Sequence, residues 1–526
     1  MAASVAPAAC EPPKAPGAIA EPAPTPHAPG VTDRHGRRKL GRETLIYTIG
    51  TVLSRAASLI MLPVYTRLLT PADYGLLQIL DMTSDAVAIL VSAGCTAGVI
   101  RFYFKADAER ERHAVLGSAI TLQIGLNLIG TILLVIFAAP IWRYALHGAQ
   151  SKGLVYLAAA NFTLSSLSIV PLIYMQIEKR AVLFSTVSIA RLLLQLGGNI
   201  VFLVVLRWGP AGILLSSLIV NVVIGTATVA WMIRRTGIVI SRDALLDLRR
   251  FGLPYQLVTL GTFIVTFGDR LFLDKYGGLA AVGLYGLAYQ FGFMLEQIGI
   301  GPFARAWTPR RFEYPRDPQS VRDAKNAQGF LYLNIVAFTC AVGIAVFVHP
   351  VLRVLADPAF LGAANIVPVI LAAYLIQGWV AVVELGIDIS ERTKYATYSV
   401  WASVAAAVIL YSLLIPPFGG YGAAWATLFS FLVRLGFHWH FAQRLWPIAY
   451  GWRPVFKLAL YAIVVGVASV YLRPNEIFAE VGLGIVLLTL FVGAVWSTIL
   501  HPDDRRAILG LAADRTQAIA NRFATA

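Results

Sequence analysis

Charged residues lie in the middle of long apolar segments of this sequence. Arg55 lies in one such segment, Asp81 and Asp85 lie in the next, and Arg270 and Glu296 lie in two later ones. A charge at membrane depth costs at least about 2.5–3.5 kcal/mol on insertion scales, so it normally faces the interior of a helix bundle or a wet cavity. These charges therefore predict a polar site inside a membrane-embedded bundle.

Polar residues accompany these charges at spacings of three and four, which places them on one face of each helix. Ser and Thr at such positions often only hold helices together, and an Arg55–Asp85 pair could be structural. Because the stripes also carry charges, we interpret them as the lining of a cavity. Arg434 lies near the end of its segment, where it could snorkel to the interface, and is left out. The stripes are Thr44, Thr48, Thr51, Arg55 and Ser58; Gln78, Asp81, Asp85 and Ser92; Ser188, Arg191, Gln195 and Asn199; Thr259, Thr262, Thr266 and Arg270; Tyr285, Tyr289 and Glu296; and Gln377, Glu384 and Asp388.

The composition requires a membrane as solvent. Hydrophobic residues make up 58% of the 526 residues and charged residues only 13%, too few to cover a water-soluble surface. The apolar residues come in runs of about twenty, the length that crosses a hydrocarbon core of roughly 30 Å as a helix. The strands of a transmembrane barrel would show short alternating segments instead. We predict an all-α polytopic membrane protein with fourteen spans, at 44–68, 75–99, 114–138, 153–176, 183–206, 211–233, 253–275, 282–306, 328–349, 362–384, 396–415, 421–441, 453–471 and 480–499.

The net charge of +15 is distributed as in a membrane protein and not as in a nucleic-acid-binding one. Lys and Arg fall in short clusters between the apolar spans and not on one face of a soluble domain. With the N-terminus inside, 32 of the 43 Lys and Arg lie in cytoplasmic segments and 7 in external connections. By the positive-inside rule, this bias predicts that both termini are cytoplasmic.

The chain is predicted to form two related lobes. The string YGL occurs at Tyr74 and again at Tyr285, an offset of 211 residues that carries Asp85 onto Glu296. Transporter repeats place the substrate site at their interface, near the bilayer midplane. The N-terminal segment has no apolar core of a secretory signal, and we expect it to be disordered. The predicted parts are an Ala/Pro-rich basic cytoplasmic tail (1–42), an N-lobe (43–234), a cytoplasmic linker (235–252), a C-lobe (253–443), two extra spans (444–501) and a cytoplasmic tail (502–526) that could lie along the membrane surface.

No motif predicts a catalytic centre, a metal site or a cofactor. Cys10, Cys95 and Cys340 are an odd, scattered set without metal spacing. The sequence carries no P-loop, dinucleotide fingerprint or zinc motif. We therefore expect no cofactor, and the energy for any transport would come from an H⁺ or Na⁺ gradient or from removal of the product.

Several strings, in their order and spacing, resemble a known family. They are LPVYTRLLTPADYGLLQ from Leu62, RFYF from Arg101, FGLPYQ from Phe251, GDRLFL from Gly268 and VGLYGLAYQ from Val282. Together they resemble the Wzx-type lipid-linked oligosaccharide flippases of bacteria. These polysaccharide transporters belong to the MOP superfamily, which also includes MATE exporters and the lipid II flippase. The resemblance covers about residues 41–443, and fourteen spans also fit it.

This resemblance implies a cargo and a site. An undecaprenyl-pyrophosphate-linked oligosaccharide, the repeat unit of an O-antigen, exopolysaccharide or capsule, would move from the cytoplasmic to the periplasmic leaflet of the inner membrane. A polysaccharide polymerase and a chain-length regulator would be its partners beside the membrane lipids. Guanidinium groups bind phosphate oxygens well, and hydroxyl or amide groups suit sugars. The expected pyrophosphate contacts are Arg55, Arg191 and Arg270, the expected sugar contacts are Thr48, Thr51, Gln195 and Asn199, and the possible coupling carboxylates are Asp81, Asp85 and Glu296.

Two other classes of protein stay open at this stage. A MATE-like exporter of small cations would favour a cavity dominated by carboxylates, whereas three arginines lie in the stripes here. A membrane glycosyltransferase or polysaccharide polymerase usually needs a large external loop, and the predicted external connections are about twenty residues or shorter. The sequence does not name the sugar, the coupling ion or the oligomeric state.

Overall fold

The computed structural model describes residues 61–92, 95–148 and 151–506, and of residues 92, 95–97 and 252–255 it describes the backbone alone. The predicted N-terminal tail, the first span up to residue 60 and most of the C-terminal tail lie outside these ranges. Within them the chain forms helices and no strand. The main helices are α1 (Pro71–Ser92), α2 (Cys95–Lys105), α3 (Glu109–Ile136), α4 (Gly153–Ser165), α5 (Ile169–Ile177), α6 (Ala181–Asn199), α7 (Gly209–Thr236), α8 (Arg242–Phe267), α9 (Asp269–Leu295), α10 (Gly301–Arg311), α11 (Gln319–Leu355), α12 (Ala363–Val383), α13 (Leu385–Ile389), α14 (Lys394–Leu445), α15 (Trp452–Tyr471) and α16 (Ile477–Thr498).

Eleven segments of the described residues are long and apolar enough to cross a membrane. Two of them, Gln256–Arg316 and Lys394–Leu445, break at Gly278 and Gly419, whose φ values of 69° and 54° lie in the left-handed region that favours glycine. Each of these two segments therefore holds two predicted spans. The all-α polytopic fold is confirmed, whereas the total of fourteen spans stays a prediction, because the first span lies mostly outside the described residues.

The helices form two lobes that α8 connects. In the first lobe α1, α3, α4 and α7 pack together, and in the second α9, α11, α12 and α14 pack together. The first half of α8 packs on α2 and α3, and its Gln256 Nε2 donates to the carbonyl of Ile89 at 2.6 Å. Its second half packs on α14, where Tyr411 donates to the carbonyl of Val265 at 2.7 Å. Since α8 begins at Arg242, it includes part of the predicted linker.

The last two helices are attached to the second lobe through one buried carboxylate. Glu480, in the first turn of α16, lies 2.6 Å from Nδ1 of His349 near the end of α11. Arg353 and Arg473 approach the same carboxylate to 3.8 and 3.6 Å. This cluster joins α16 to α11 and accounts for the position of two helices that the repeat does not include.

The two lobes contact each other closely where α1 crosses the second half of α9. A Cβ atom at Gly75 would overlap the carbonyl oxygen of Leu279, and one at Gly283 would overlap that of Pro71. One turn further along, the side chain of Gln78 packs on Gly286. The two copies of YGL thus meet at this crossing, because only glycine lets the two backbones approach so closely.

Candidate functional site

Direct bonds lock the two lobes together at the end of the molecule where α1 begins, which we call the locked end. Arg67 Nη2 donates to the carbonyl of Val354 at 3.0 Å, and Gln290 Nε2 donates to the hydroxyl of Tyr74. His147 Nε2 lies 3.0 Å from Oδ1 of Asp274, across the same boundary. These contacts join the first lobe to the second beside the glycine crossing of α1 and α9.

Asp81 and Asp85 lie beyond the locked end, near the middle of α1. They follow Gln78 on the same helix face, and Gln78 packs on the second lobe. Both side chains are exposed, and neither carboxylate forms a hydrogen bond or ion pair within the described residues. A carboxylate at this depth normally faces the interior of a bundle or a wet cavity, so we expect the two groups to face a cleft between the lobes.

Glu296 lies on the second lobe at the start of a π-helical turn, Glu296–Ile300. It lines a cavity of about 110 Å³ together with Thr308, Arg311 and Gln377. Neither its carboxylate nor Oε1 of Gln377 has a hydrogen-bond partner in the described part of the chain, and the amide oxygen is buried. Two free acceptors in one cavity suit a ligand that carries hydrogen-bond donors or a positive charge.

The predicted contacts on α6 lie in a network inside the first lobe. Arg191 Nη2 donates to Oδ1 of Asn221 on α7 at 3.1 Å. Gln195 Nε2 donates to Asn199 Oδ1 at 3.0 Å and to the hydroxyl of Ser216 on α7 at 3.2 Å. Asn199 in turn donates to the hydroxyl of Tyr65 at 2.6 Å. In this conformation the three polar side chains bond α6 to its neighbours.

Arg270 is enclosed in the second lobe near the locked end. It is 1% exposed, and its Nη1 donates to Oδ1 of Asp269 and to the carbonyl of Thr266, both at 3.0 Å. The other oxygen of Asp269 accepts from Tyr285 at 2.5 Å and from Thr427 at 3.3 Å. The aromatic rings of Phe267, Tyr285 and Tyr289 surround the guanidinium group. The ion pair is thus nearly complete without any ligand.

Three predicted contacts, Arg55, Thr48 and Thr51, lie outside the described residues. A group that the sequence reasoning did not include lies on α14, where Arg434 and His438 are both buried. His438 Nε2 lies 3.9 Å from Oε1 of Glu384, which directly follows α12. The available signal was the spacing of Thr427, Ser430, Arg434 and His438, which puts them on one helix face.

A family model described as "Polysaccharide biosynthesis protein" matches residues 40–314, just over half of the chain. No curated protein matches the sequence. The match includes Asp81, Asp85, Arg270, Glu296 and the residues of the lock except Val354, and it ends before Glu384 and Arg434.

Solved structures with a similar fold come from membrane transport proteins. One described as "Lipid II flippase MurJ, inward closed conformation" has a TM-score of 0.67 at 13% identity, covering 87% of this chain and 100% of that one. An inward-facing multidrug resistance MATE family transporter of the MOP superfamily has a TM-score of 0.58 at 15% identity, covering 77% and 96%. A MOP superfamily transporter from Pyrococcus furiosus has a TM-score of 0.52 at 16% identity, covering 80% and 95%. At these identities the similarity concerns the fold.

Proposed function

Because this chain belongs to the polysaccharide biosynthesis protein family, we propose that it is a flippase for a lipid-linked oligosaccharide. It is a multi-pass membrane protein, and its family and structural relatives are transporters and flippases and not enzymes. The proposed cargo is an undecaprenyl-pyrophosphate-linked repeat unit of an O-antigen, exopolysaccharide or capsule. The proposed movement is from the cytoplasmic to the periplasmic leaflet of the inner membrane, with both termini in the cytoplasm.

One observation supports this proposal: bonds join the lobes at one end, and beyond them Asp81 and Asp85 form no hydrogen bond or ion pair within the described residues, where we infer a cleft. In the predicted topology the locked end is external, so the cleft would open to the cytoplasm, where such a cargo is made. Transport would require the bonds of Arg67, Tyr74 and His147 to the second lobe to break as the lobes rock. The lipid chain would stay in the bilayer while the sugar crosses in the cleft.

Arg55 stays the proposed anion contact of the first lobe. Arg191 and Arg270 could join it only if their present hydrogen bonds break, so we give them no role in this conformation. Asp81, Asp85 and Glu296 are the proposed coupling groups for an H⁺ or Na⁺ gradient. These carboxylates form no ion pair within 4.0 Å in the described part of the chain, although Arg305 interacts electrostatically with Glu296. They would exchange a proton or ion when the lobes move. A polysaccharide polymerase and a chain-length regulator would act on the product.

The test is transport of a labelled undecaprenyl-pyrophosphate oligosaccharide by the full chain in vesicles. We expect protein-dependent movement between leaflets that responds to an imposed pH or Na⁺ gradient. Asp85→Asn should accumulate normally and lose the response to the gradient. Glu109→Gln, at the exposed start of α3, is the matched control and should keep it. An absence of protein-dependent movement would contradict the flippase proposal itself.

A MATE-like exporter of cations is the second candidate, because three of the proposed site residues are carboxylates. Asp81 and Asp85 on one lobe and Glu296 on the other form no ion pair within 4.0 Å in the described part of the chain, and Arg305 interacts electrostatically with Glu296. A cation cargo would use this charge directly. Efflux of a fluorescent organic cation from the same vesicles, without movement of the oligosaccharide lipid, would favour this candidate over the flippase.

A further inference from the structure

Arg434 is a buried cation without a bonded partner. Its side chain is 8% exposed, and its Nε atom is buried with no hydrogen bond. In the described part of the chain the guanidinium group donates no hydrogen bond and forms no ion pair within 4.0 Å. A buried charge is strongly unfavourable unless it is paired or hydrogen-bonded. Such a group is therefore a candidate for binding a ligand that supplies the missing acceptors.

The other buried arginines of the second lobe show that this situation is unusual. Arg270 has the carboxylate of Asp269 and a backbone carbonyl. Arg311 donates to the carbonyl of Val382 at 2.6 Å, and Arg322 donates to the carbonyl of Pro447 at 3.1 Å. Each of these guanidinium groups has an acceptor within its own lobe. Arg434 differs from them although it lies in the same lobe.

The position of Arg434 connects it to the cleft. It lies seven residues beyond Thr427 on the same face of α14, or about 10 Å further from the locked end. Glu384 interacts with it electrostatically from the end of α12, and the side chain of Glu384 is 31% exposed. One turn further along the chain, Asp388 is exposed. A ligand in the open part of the cleft could therefore approach Arg434 past these two residues.

Glu384 has a second neighbour on α14, the imidazole of His438. His438 Nδ1 donates to the backbone carbonyl of Arg434 at 3.1 Å, which leaves Nε2 facing Glu384 Oε1 at 3.9 Å. The guanidinium fork of Arg434 makes no bond to either side chain and is available to two oxygens of an anion.

We infer that Arg434 is the arginine of a phosphate-binding subsite in the second lobe, at the end of the cleft opposite the lock. This inference rests on the proposed function for the identity of the anion, which would be the pyrophosphate of the cargo. The phosphate of an anionic phospholipid has the same chemistry and is the alternative source. In either case the bond to Arg434 belongs to the state with the cleft open, in which this side chain has no acceptor of its own.

The test measures binding to the full chain in nanodiscs of zwitterionic lipid, with geranylgeranyl pyrophosphate, inorganic pyrophosphate and phosphatidylglycerol as separate probes. Arg434→Gln should weaken geranylgeranyl pyrophosphate binding by about tenfold to a hundredfold, the range for hydrogen bonds to a charged group. Arg434→Lys should recover part of the affinity, because a point charge replaces a planar fork. Arg310→Gln, at an exposed arginine of α10, is the control and should bind like the wild type.

Equal affinity of the wild type and Arg434→Gln for all three probes would overturn the inference. If only phosphatidylglycerol binding depends on Arg434, the subsite exists and holds a lipid headgroup, and its link to the cargo is wrong. If Arg434→Gln does not accumulate, the double variant Glu384→Gln/Arg434→Gln removes the opposite charge as well and should show the same loss of affinity.

Transport in vesicles separates this inference from the proposed function. If the protein transports the oligosaccharide and Arg434→Gln binds pyrophosphate like the wild type, the flippase proposal is supported and the subsite is contradicted. If pyrophosphate binding depends on Arg434 but the protein moves no oligosaccharide lipid, the subsite is supported and the flippase proposal is contradicted.

Discussion

The two halves of the second lobe contain buried arginines in opposite situations. Near the locked end Arg270 pairs with Asp269, which also accepts hydrogen bonds from Tyr285 and Thr427. Aromatic rings surround the guanidinium group of Arg270. About two helical turns further along α14, Arg434 lies behind Glu384 without a hydrogen bond. Each of the two arginines lies on a polar helix face within an apolar span, and only the surrounding residues distinguish them. A charge inside a membrane bundle therefore indicates a ligand site only when the neighbouring helices of the protein leave it unpaired.

The largest expected effect comes from removing one partner of the Asp269–Arg270 ion pair. Asp269→Ala leaves Arg270 as an uncompensated buried charge, and removing one partner of a buried pair typically costs about 3–5 kcal/mol. We expect strong loss of accumulation and of the thermal unfolding temperature in detergent. Asp274→Ala is the matched control, because its partner His147 is half-exposed and can turn to water. Normal thermal stability of Asp269→Ala would mean that the ion pair near the locked end is not structural.

A smaller effect is expected at the crossing that closes the locked end. Gly75→Ala adds a Cβ atom that overlaps the carbonyl of Leu279, and overpacking of this kind costs about 1–3 kcal/mol. Since the clash exists only when the lobes touch, it should shift the population roughly 5- to 150-fold toward the state with this end open. Spin-label distances between the lobes would show the shift, and Gly125→Ala, which meets no atom within 4 Å, is the control. Unchanged distances in Gly75→Ala would contradict the role of the crossing as a gate.

The smallest expected effect is on the stability of the protein when Arg434 loses its charge. Arg434→Gln should leave the free energy of unfolding within about 0.5 kcal/mol of the wild type or raise it, because it removes a charge that has no bonded partner. Arg270→Gln should lower stability, because it leaves Asp269 buried without its cation. Thermal unfolding of both variants in the same detergent measures the difference. A large destabilisation by Arg434→Gln would show that this arginine holds the lobe together and is not free for a ligand.

Much of the fold could be predicted because a membrane restricts the chain so strongly. Long apolar runs correctly indicated helices, and the predicted gap between the spans 253–275 and 282–306 contains the break at Gly278. That the two lobes are related, as the two copies of YGL indicate, stays a prediction. The ends of helices were less accurate. The second span was predicted to begin at residue 75, whereas α1 begins at Pro71. The apolar composition alone does not mark this boundary.

For the candidate site, the contacts of each side chain decide how its predicted role compares with the structure. Asp81, Asp85 and Glu296 were predicted to face a cleft or cavity; Glu296 lines a cavity, and the cleft in front of Asp81 and Asp85 stays a prediction. Arg191 was predicted as an anion contact, and the structure shows it bonded to Asn221 on the next helix. A role in the transport cycle for any of these residues stays a prediction. The sequence showed how deep each charge lies in its span and on which helix face, but it did not show which residues each charge contacts.

The sequence by itself determined that the protein lies in a membrane and that it is helical. It also determined the charge bias of the connections and which face of each helix is polar. These properties follow from composition and from the 3.6-residue period of a helix, so they need no knowledge of other segments. Only the tertiary structure decided which polar faces are already satisfied. Asp269 takes a hydrogen bond from Thr427, 158 residues away, whereas Arg434 forms no hydrogen bond and no ion pair within 4.0 Å with the described residues around it. Helical spacing gives the direction of a side chain, but its partners come from helices that are distant in sequence, and their packing alone shows which arginine is free.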